Sequence, residues 1–331
     1  MNKSRYILIF SIIILIIALT YNLRNKIINT EMVQREETDP RISLEMDKDI
    51  FLQEDNTSQN IPKKTKTSVN SPVVKDPDDI SAEAYMIGDL DTNKVYLQYN
   101  SSKVLPIASL SKLFTALIAE HILDPEKTVN ITEEILKTEG DAGHLVKDEV
   151  FTVKELFYPL LMESSNDAAE ALAESYGYSR FIIQMNQFAK ELGMISTRFN
   201  DATGLSSQNV SNVKDLFILS KYLFESEASL LEVTKQKTFD LATTTANMAS
   251  TTAKHQFHHF VSINPYVFYS HFLGGKTGRT NEAKESMISL FEYNSDLTTH
   301  NIAIIILRSE FGQREIDTEK LIMKFLKEVK Q

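Results

Sequence analysis

The stretch PIASLSKLFTALIA, Pro106–Ala119, decides how the folded part of the chain is interpreted. Apolar residues recur in it at the i, i+3, i+4, i+7, i+8 spacing of one helix face: Leu110, Leu113, Phe114, Leu117 and Ile118. Alanines cover much of the other face, so the pattern predicts a largely buried helix. Lys112 is the single charged residue between Val104 and Ala119. An ammonium group in a segment suited to the protein interior suggests a chemical role.

Ser109 precedes Lys112 by three residues, which places both side chains on one helix face with Cβ atoms about 5–6 Å apart. Burial removes hydration from a charged lysine, so its pKa falls and it can accept a proton from a neighbouring hydroxyl. Serine becomes a good nucleophile when a base removes that proton. Pro106 places Ser109 in the first turn of the helix, where free backbone N–H groups favour an oxyanion.

The same Ser-x-x-Lys spacing also has an ordinary structural interpretation, in which the serine caps a helix and the lysine extends its ammonium to water. Ser211 and Lys214 share the spacing, and there we predict a capped, exposed helix start. The spacing alone therefore does not separate a catalytic pair from a helix cap.

Two further stretches separate the interpretations. In LLMESSNDAAEALAE, Ser164-Ser165-Asn166 lies in a short predicted break between two helices. In FLGGKTGRT, Lys276-Thr277-Gly278 follows two glycines and enters a predicted strand, and glycines there indicate a close approach of backbone or ligand.

Taken in order, Ser109-x-x-Lys112, Ser164-x-Asn166 and Lys276-Thr277-Gly278 resemble the three-motif signature of penicillin-binding proteins and serine β-lactamases. The surrounding segments LPIASLSKLFTAL, LLMESSNDAAEALAE, GGKTGRTNEA and DATGLSSQNVS look like those of the low-molecular-weight D-alanyl-D-alanine carboxypeptidases. The resemblance covers about Ile80 to the C-terminus. It implies a catalytic domain over residues 80–331 with a β-lactamase/transpeptidase-like fold.

The resemblance also implies roles for the motif residues. Ser109 would attack the carbonyl between two D-alanines of a peptidoglycan stem peptide and form an acyl-enzyme that water hydrolyses. Lys112 would be the general base, and Ser164 would relay a proton towards the leaving amine. The expected substrate-binding residues are Asn166, Lys276, Thr277, Gly278 and Arg279. β-Lactams are expected as covalent inhibitors, and no cofactor or metal is expected.

The resemblance does not determine the role of Arg279, because the residue after Lys-Thr-Gly varies among members of the family. A large cation at this position either contacts the substrate carboxylate or points to solvent. The carboxypeptidase or endopeptidase preference, the β-lactam selectivity and the oligomeric state are not determined by these motifs.

Three alternatives remain. A serine β-lactamase shares the fold and the motifs. Class A β-lactamases have a glutamate four residues before an asparagine between the second and third motifs, and no glutamate between Asn166 and Lys276 has that spacing here. An inactive cell-wall-binding domain would keep the fold without the chemistry. A metal enzyme is suggested by the segment HQFHH, where His255 and His259 stand at i, i+4, although a surface position is the simpler interpretation.

The order of predicted elements gives the fold class. EAYMIGDL (83–90) and KVYLQYN (94–100) form a predicted hairpin, and helical spacing recurs over 153–162, 168–176, 181–192 and 213–224. Strand-like sequence returns in ESMISLFEY (285–293) and NIAIIIL (301–307), and a helix is predicted over about 316–329. This order predicts an α+β (α/β) fold, in which helices flank an antiparallel sheet and an all-helical subdomain is inserted.

The N-terminal region has a different character from the rest of the 331 residues. Lys3 and Arg5 precede an apolar run, which predicts a membrane anchor or signal segment over residues 1–23. Residues 24–79 lack glycine and apolar periodicity, which predicts a disordered tether. We therefore expect an extracytoplasmic domain held at the membrane, or secreted if the segment is cleaved.

Composition excludes other classes. The chain has no cysteine, so disulfides and thiolate metal sites are excluded. Its formal net charge is −10, which disfavours nucleic acid as a partner. Peptidoglycan stem peptides, β-lactams and the membrane are the expected partners.

Overall fold

The computed structural model describes residues 80–245, 254–294 and 298–329. A five-stranded antiparallel sheet lies at the centre of the described fold. Its strands are β1 (Ala84–Asp89), β2 (Val95–Tyr99), β9 (Phe272–Thr280), β10 (Lys284–Asn294) and β11 (Thr299–Ser309). They lie in the order β2-β1-β11-β10-β9, so the last strand of the chain is central and β9 is an edge. The predicted anchor (1–23) and tether (24–79) lie outside the described residues.

The remaining described elements connect β2 to β9 or follow β11. The short strands are β3 (Leu105–Pro106), β4 (Thr128–Asn130), β5 (Glu149–Thr152) and β6 (Val210–Ser211), and the longer ones are β7 (Thr238–Thr245) and β8 (Lys254–Val261). The helices are α1 (Ser111–Ile122), α2 (Val153–Met162), α3 (Asn166–Tyr176), α4 (Tyr178–Glu191), α5 (Val213–Ser226), α6 (Ala228–Thr234) and α7 (Arg314–Glu328).

The sheet is buried on both faces, which explains the continuous apolar sequence of β11. Ala303, Ile305 and Leu307 pack into a core cluster with the helices α1–α6, whereas Ile304 and Ile306 pack into a second cluster beneath α7. Successive residues of a strand face opposite sides, so a strand covered on both sides carries apolar residues at every position. The predicted flanking of an antiparallel sheet by helices is confirmed.

The region between β2 and β9 contains a second sheet, so the predicted all-helical subdomain is corrected in this respect. Its strands lie in the order β4-β5-β7-β8 and all pair antiparallel. β4 and β5 have three and four residues, which is too short for the period of two to stand out in sequence.

The quoted helix is buried as predicted. Every residue of α1 from Ser111 to Ala119 is buried, and Lys112 has no exposed surface. The second match to the Ser-x-x-Lys spacing is different. Ser211 does not cap α5, because Asn212 is the residue whose side chain accepts from the Asp215 backbone N–H. Ser211 is buried in β6, and the ammonium of Lys214 reaches Ser102 at the surface.

Candidate active site

The Lys112 ammonium nitrogen has three oxygen neighbours and no contact with solvent. Nζ lies 3.0 Å from Ser109 Oγ, 2.6 Å from Asn166 Oδ1 and 2.5 Å from the Thr203 carbonyl oxygen. An uncharged amine has two N–H groups and one lone pair. If it donates to the carbonyl oxygen and the amide oxygen, its lone pair faces the Ser109 hydroxyl. The geometry therefore suits a lysine that accepts the serine proton.

Burial provides the electrostatic condition for that state. Loss of hydration lowers the pKa of Lys112 to about 7, and the negative charge of Asp201 acts in the opposite direction. A lysine with this pKa is substantially uncharged near neutral pH, unlike an exposed lysine. Ser109 itself is only partly buried, so its hydroxyl remains open to an incoming carbonyl.

A tight turn places Ser109 at the start of α1. The residues Ala108–Leu110 form a 3₁₀ turn that leads into the helix, and Ala108 has a φ of +48°. Two glycines lie against this turn. A Cβ atom on Gly204 would lie 2.1 Å from the Ala108 carbonyl oxygen, and one on Gly278 would lie 2.9 Å from the Ile107 carbonyl oxygen. Both glycines therefore allow backbone to approach the Ser109 segment.

Asp201 holds the loop that carries Gly204 and the Thr203 carbonyl. Its carboxylate accepts hydrogen bonds from the backbone N–H groups of Thr203, Gly204 and Ser206. The loop lies against the Ser109–Lys112 pair, because the Thr203 carbonyl accepts from Lys112 and Gly204 packs on the backbone of Ala108.

Gly204→Ala is expected to lower the free energy of unfolding by ~2 kcal/mol or more, measured by urea denaturation. The new Cβ would meet backbone atoms that have no flexible end to move, and φ at this position is +86°. Gly193 is the matched control, because its φ is +85° with nothing within 4 Å of a Cβ. Gly193→Ala isolates the backbone term, so equal losses in the two variants would contradict a steric role for Gly204.

A second lysine–serine pair lies opposite the first. Lys276 Nζ donates to Ser164 Oγ at 2.8 Å and to the Thr277 carbonyl at 2.9 Å. Burial lowers the pKa of Lys276 well below its ordinary value, and the positive charges of Lys112 and Arg314 lower it further. The pair brings the second and third sequence motifs into direct contact.

The break between α2 and α3 places Ser164 and Asn166. Ser165 caps α3 by accepting from the Ala168 backbone N–H at 3.1 Å, and Ser164 has a φ of +66°. Asn166 is the first residue of α3, and its Nδ2 donates to the Glu139 carbonyl at 2.6 Å while its Oδ1 accepts from Lys112. Both functional side chains of the second motif therefore point to the lysines.

The third motif lies on the edge strand β9. Lys276 and Thr277 are almost fully buried, and Gly278 is the glycine that packs on the Ile107–Ser109 backbone. Arg279 is largely exposed, with Nη1 3.8 Å from Glu285 Oε1 and its guanidinium 5.1 Å from the centre of the Phe311 ring. The structure thus brings together seven of the predicted site residues and leaves Arg279 at the rim.

Three contributors to the site were absent from the sequence-based prediction. Thr203 acts through its backbone carbonyl, which every residue has, so residue type could not predict this contact. Asp201 acts through its charge on Lys112. Arg314 is the first residue of α7, where a cation opposes the helix dipole. This unfavourable position was a sequence signal that could have identified it.

The histidine segment does not form the metal site that was considered. HQFHH lies in β8, and residues four apart on a strand are separated by about 13 Å along its axis. His259 pairs with Asp240 at the surface, whereas His258 is buried against Glu149 at 2.6 Å. Within residues 80–245, 254–294 and 298–329, no three His, Asp or Glu side chains are grouped to hold a metal ion.

Comparison with known proteins adds a family match. A family model described as "D-alanyl-D-alanine carboxypeptidase" matches residues 68–302. The chain is 37% identical over 171 residues to a D-alanyl-D-alanine endopeptidase of Haemophilus influenzae, covering 48% of this chain and 59% of that protein. It is 32% identical over 212 residues to the Bacillus subtilis D-alanyl-D-alanine carboxypeptidase DacF, covering 61% and 52%. The match thus spans about half the length of these curated relatives.

Solved structures share the fold. The Streptomyces K15 DD-transpeptidase superposes with a TM-score of 0.66 at 24% identity, covering 78% of this chain and 99% of that chain. Penicillin-binding protein D2 of Listeria monocytogenes, in its ampicillin-bound form, has a TM-score of 0.62 at 29% identity, covering 75% and 98%.

Proposed function

Because the chain belongs to the D-alanyl-D-alanine carboxypeptidase family, we propose that it is a serine DD-carboxypeptidase acting through an acyl-enzyme on Ser109. It would remove the terminal D-alanine from peptidoglycan stem peptides. The observation that carries the proposal is the 3.0 Å contact between Ser109 Oγ and the fully buried Nζ of Lys112. A solvated lysine would be charged and unable to accept the serine proton.

Acylation begins when Lys112 takes the Ser109 proton and Oγ attacks the carbonyl between the two D-alanines. The C–N bond then breaks, and the leaving amine gains a proton through Ser164, whose hydroxyl lies 2.8 Å from Lys276 Nζ. Water later attacks the ester, giving the shortened peptide and free Ser109. Serine and general base act here as in other nucleophile–base pairs.

The oxyanion of each tetrahedral intermediate would bind the backbone N–H groups of Ser109 and Arg279. Gly278 supports this assignment, because a Cβ there would lie 3.2 Å from Ser109 N, so β9 passes close to the nucleophile. A donor at such a position is often worth about 3 kcal/mol of transition-state stabilisation.

The substrate would extend along the outer edge of β9. Thr277 supplies a hydroxyl for the terminal carboxylate. The negative charge of that carboxylate would favour the charged form of Lys276, which then supplies a positive potential, whereas Asn166 holds the substrate amide. Addition of an extended peptide to a free strand edge gives main-chain hydrogen bonds without large rearrangement. β-Lactams would acylate the same serine, in line with the ampicillin-bound state of the Listeria relative.

Localisation follows from the N-terminal sequence. We infer that residues 1–23 anchor the chain in the membrane and that residues 24–79 tether the catalytic domain outside the cytoplasm. Within the part of the chain that is described, no helix is long and apolar enough to cross a bilayer. The net charge of −10 supports a partner other than nucleic acid.

Endopeptidase activity on cross-linked peptides is the second candidate. It is supported by relatives named D-alanyl-D-alanine endopeptidase, which are 37% and 41% identical over the matched segments. The chain lacks the glutamate–asparagine pair of class A β-lactamases described above, which disfavours the β-lactamase alternative. Intact contacts in all three motifs argue against an inactive wall-binding domain.

Release of D-alanine from a synthetic diacyl-D-Ala-D-Ala peptide tests the proposal, with a cross-linked peptide dimer assayed in parallel. We expect release from the linear peptide and its inhibition by prior treatment with penicillin. Cleavage of the dimer alone would favour the endopeptidase. Hydrolysis of a chromogenic cephalosporin at many turnovers per second would instead identify a β-lactamase.

A further inference from the structure

Arg279 is exposed, yet its guanidinium is held by two neighbours. The side chain is 68% exposed. Its guanidinium carbon lies 5.1 Å from the centre of the Phe311 ring, a distance typical of a cation–π contact. Its Nη1 lies 3.8 Å from Glu285 Oε1. The two contacts together restrict where the guanidinium lies at the rim of the site.

The Glu285 carboxylate contacts both Arg279 and the loop that carries Phe311. Glu285 lies directly opposite Arg279 on β10, and only 5% of its surface is exposed. Its Oε1 faces Arg279, whereas its Oε2 accepts from the Gly312 backbone N–H at 2.9 Å. Gly312 follows Phe311, so Glu285 fixes the loop that carries the ring as well as attracting the guanidinium.

The Arg279 side chain lies on the same face of β9 as the Thr277 hydroxyl. Residues two apart on a strand face the same side and are separated by about 6.6 Å, so Thr277 and Arg279 share a face. A carboxylate bound at the Thr277 hydroxyl would therefore lie within the reach of an arginine side chain. The 3.8 Å separation from Glu285 is longer than a hydrogen bond, which leaves the guanidinium N–H groups available.

We propose that Phe311 and Glu285 are positioning residues that hold Arg279 for the terminal carboxylate of the leaving D-amino acid. Together they set the preference for substrates that end in a free carboxylate. The inference rests on the proposed function, and it resolves the two options for Arg279 in favour of substrate contact.

The test compares a diacyl-D-Ala-D-Ala peptide with its C-terminal amide, the amide being measured as a competitor if it is not turned over. Phe311→Ala is expected to raise KM for the acid about three-fold with kcat unchanged, since the lost contact is a modest one. Arg279→Gln should raise KM about ten-fold. Glu285→Gln, which keeps an acceptor for Gly312, should raise it about two-fold. Binding of the amide should change in none of these variants.

Two controls separate positioning from a general structural effect. Phe311→Tyr keeps the ring and should keep the wild-type KM. Phe268→Ala removes another exposed ring, which lies 5.1 Å from the ammonium of Lys237, and it should leave KM unchanged. Equal weakening of acid and amide in Phe311→Ala and Arg279→Gln would overturn the inference while leaving the proposed function intact. A wild-type protein that releases no D-alanine would overturn both.

Discussion

Ser109→Ala is expected to abolish covalent labelling by a fluorescent penicillin and to lower D-alanine release by at least ~10,000-fold. In the proposed mechanism the hydroxyl forms the ester, so its removal leaves no acyl-enzyme route, and losses of this size are typical of deleted nucleophiles. Labelling is read on a gel, and release is followed with the diacyl-D-Ala-D-Ala peptide. Ser109 is only partly buried, so we expect the alanine variant to keep the fold.

Ser211→Ala is the matched control, because Ser211 stands three residues before Lys214 just as Ser109 stands before Lys112. Ser211 is buried and shares a 2.7 Å hydrogen bond with Thr197, so its loss should lower stability by about 1 kcal/mol without affecting labelling. Persistent labelling of the Ser109 variant would place the nucleophile elsewhere and contradict the proposed function.

Lys112→Ala is expected to lower the rate of acylation by about 100- to 10,000-fold, the range of a lost general base. In the wild type, the pKa of Lys112 is lowered to about 7. Below that pH the amine is protonated and cannot accept a proton, whereas above it the amine is free. The wild-type acylation rate should therefore rise with pH and level off above about 7, and the variant should lose this acid limb. Acylation rates measured by stopped-flow quenching across pH 5–9 test both expectations.

Lys214→Ala provides the control for that series, because Lys214 is exposed and its ammonium contacts only the hydroxyl of Ser102 among the hydrogen bonds described. It should retain the wild-type rate and acid limb. An unchanged acid limb in Lys112→Ala would assign the titrating group to another residue, with Lys276 the next in line because its pKa is also lowered.

The sequence predicted those parts of the site that depend on side-chain spacing. Ser109 and Lys112 are three apart on one face, and burial of α1 follows from its apolar pattern, so their contact was foreseeable. The contact of Lys276 with Ser164 joins residues 112 apart in the chain, and only the family resemblance placed them together.

Other parts were not predictable because they depend on backbone atoms or on short elements. The Thr203 carbonyl that accepts from Lys112 carries no residue-type signal. β4 and β5 were too short to show alternation. Asn212 rather than Ser211 caps α5, because Ser211 lies in β6, where it pairs with Leu105. In each case tertiary contacts decided between locally similar options.

The central place of β11 in the five-stranded sheet has a consequence for biogenesis. β1 pairs with β11, joining Ala84 to Leu307, so the sheet cannot close until nearly the whole chain has left the ribosome. We expect a partly synthesised chain without β11 to lack the strand that supports β10 and hence β9, and therefore not to react with penicillin. Covalent labelling would thus report that β11 has joined the sheet, which makes it a direct probe of when the new chain becomes reactive.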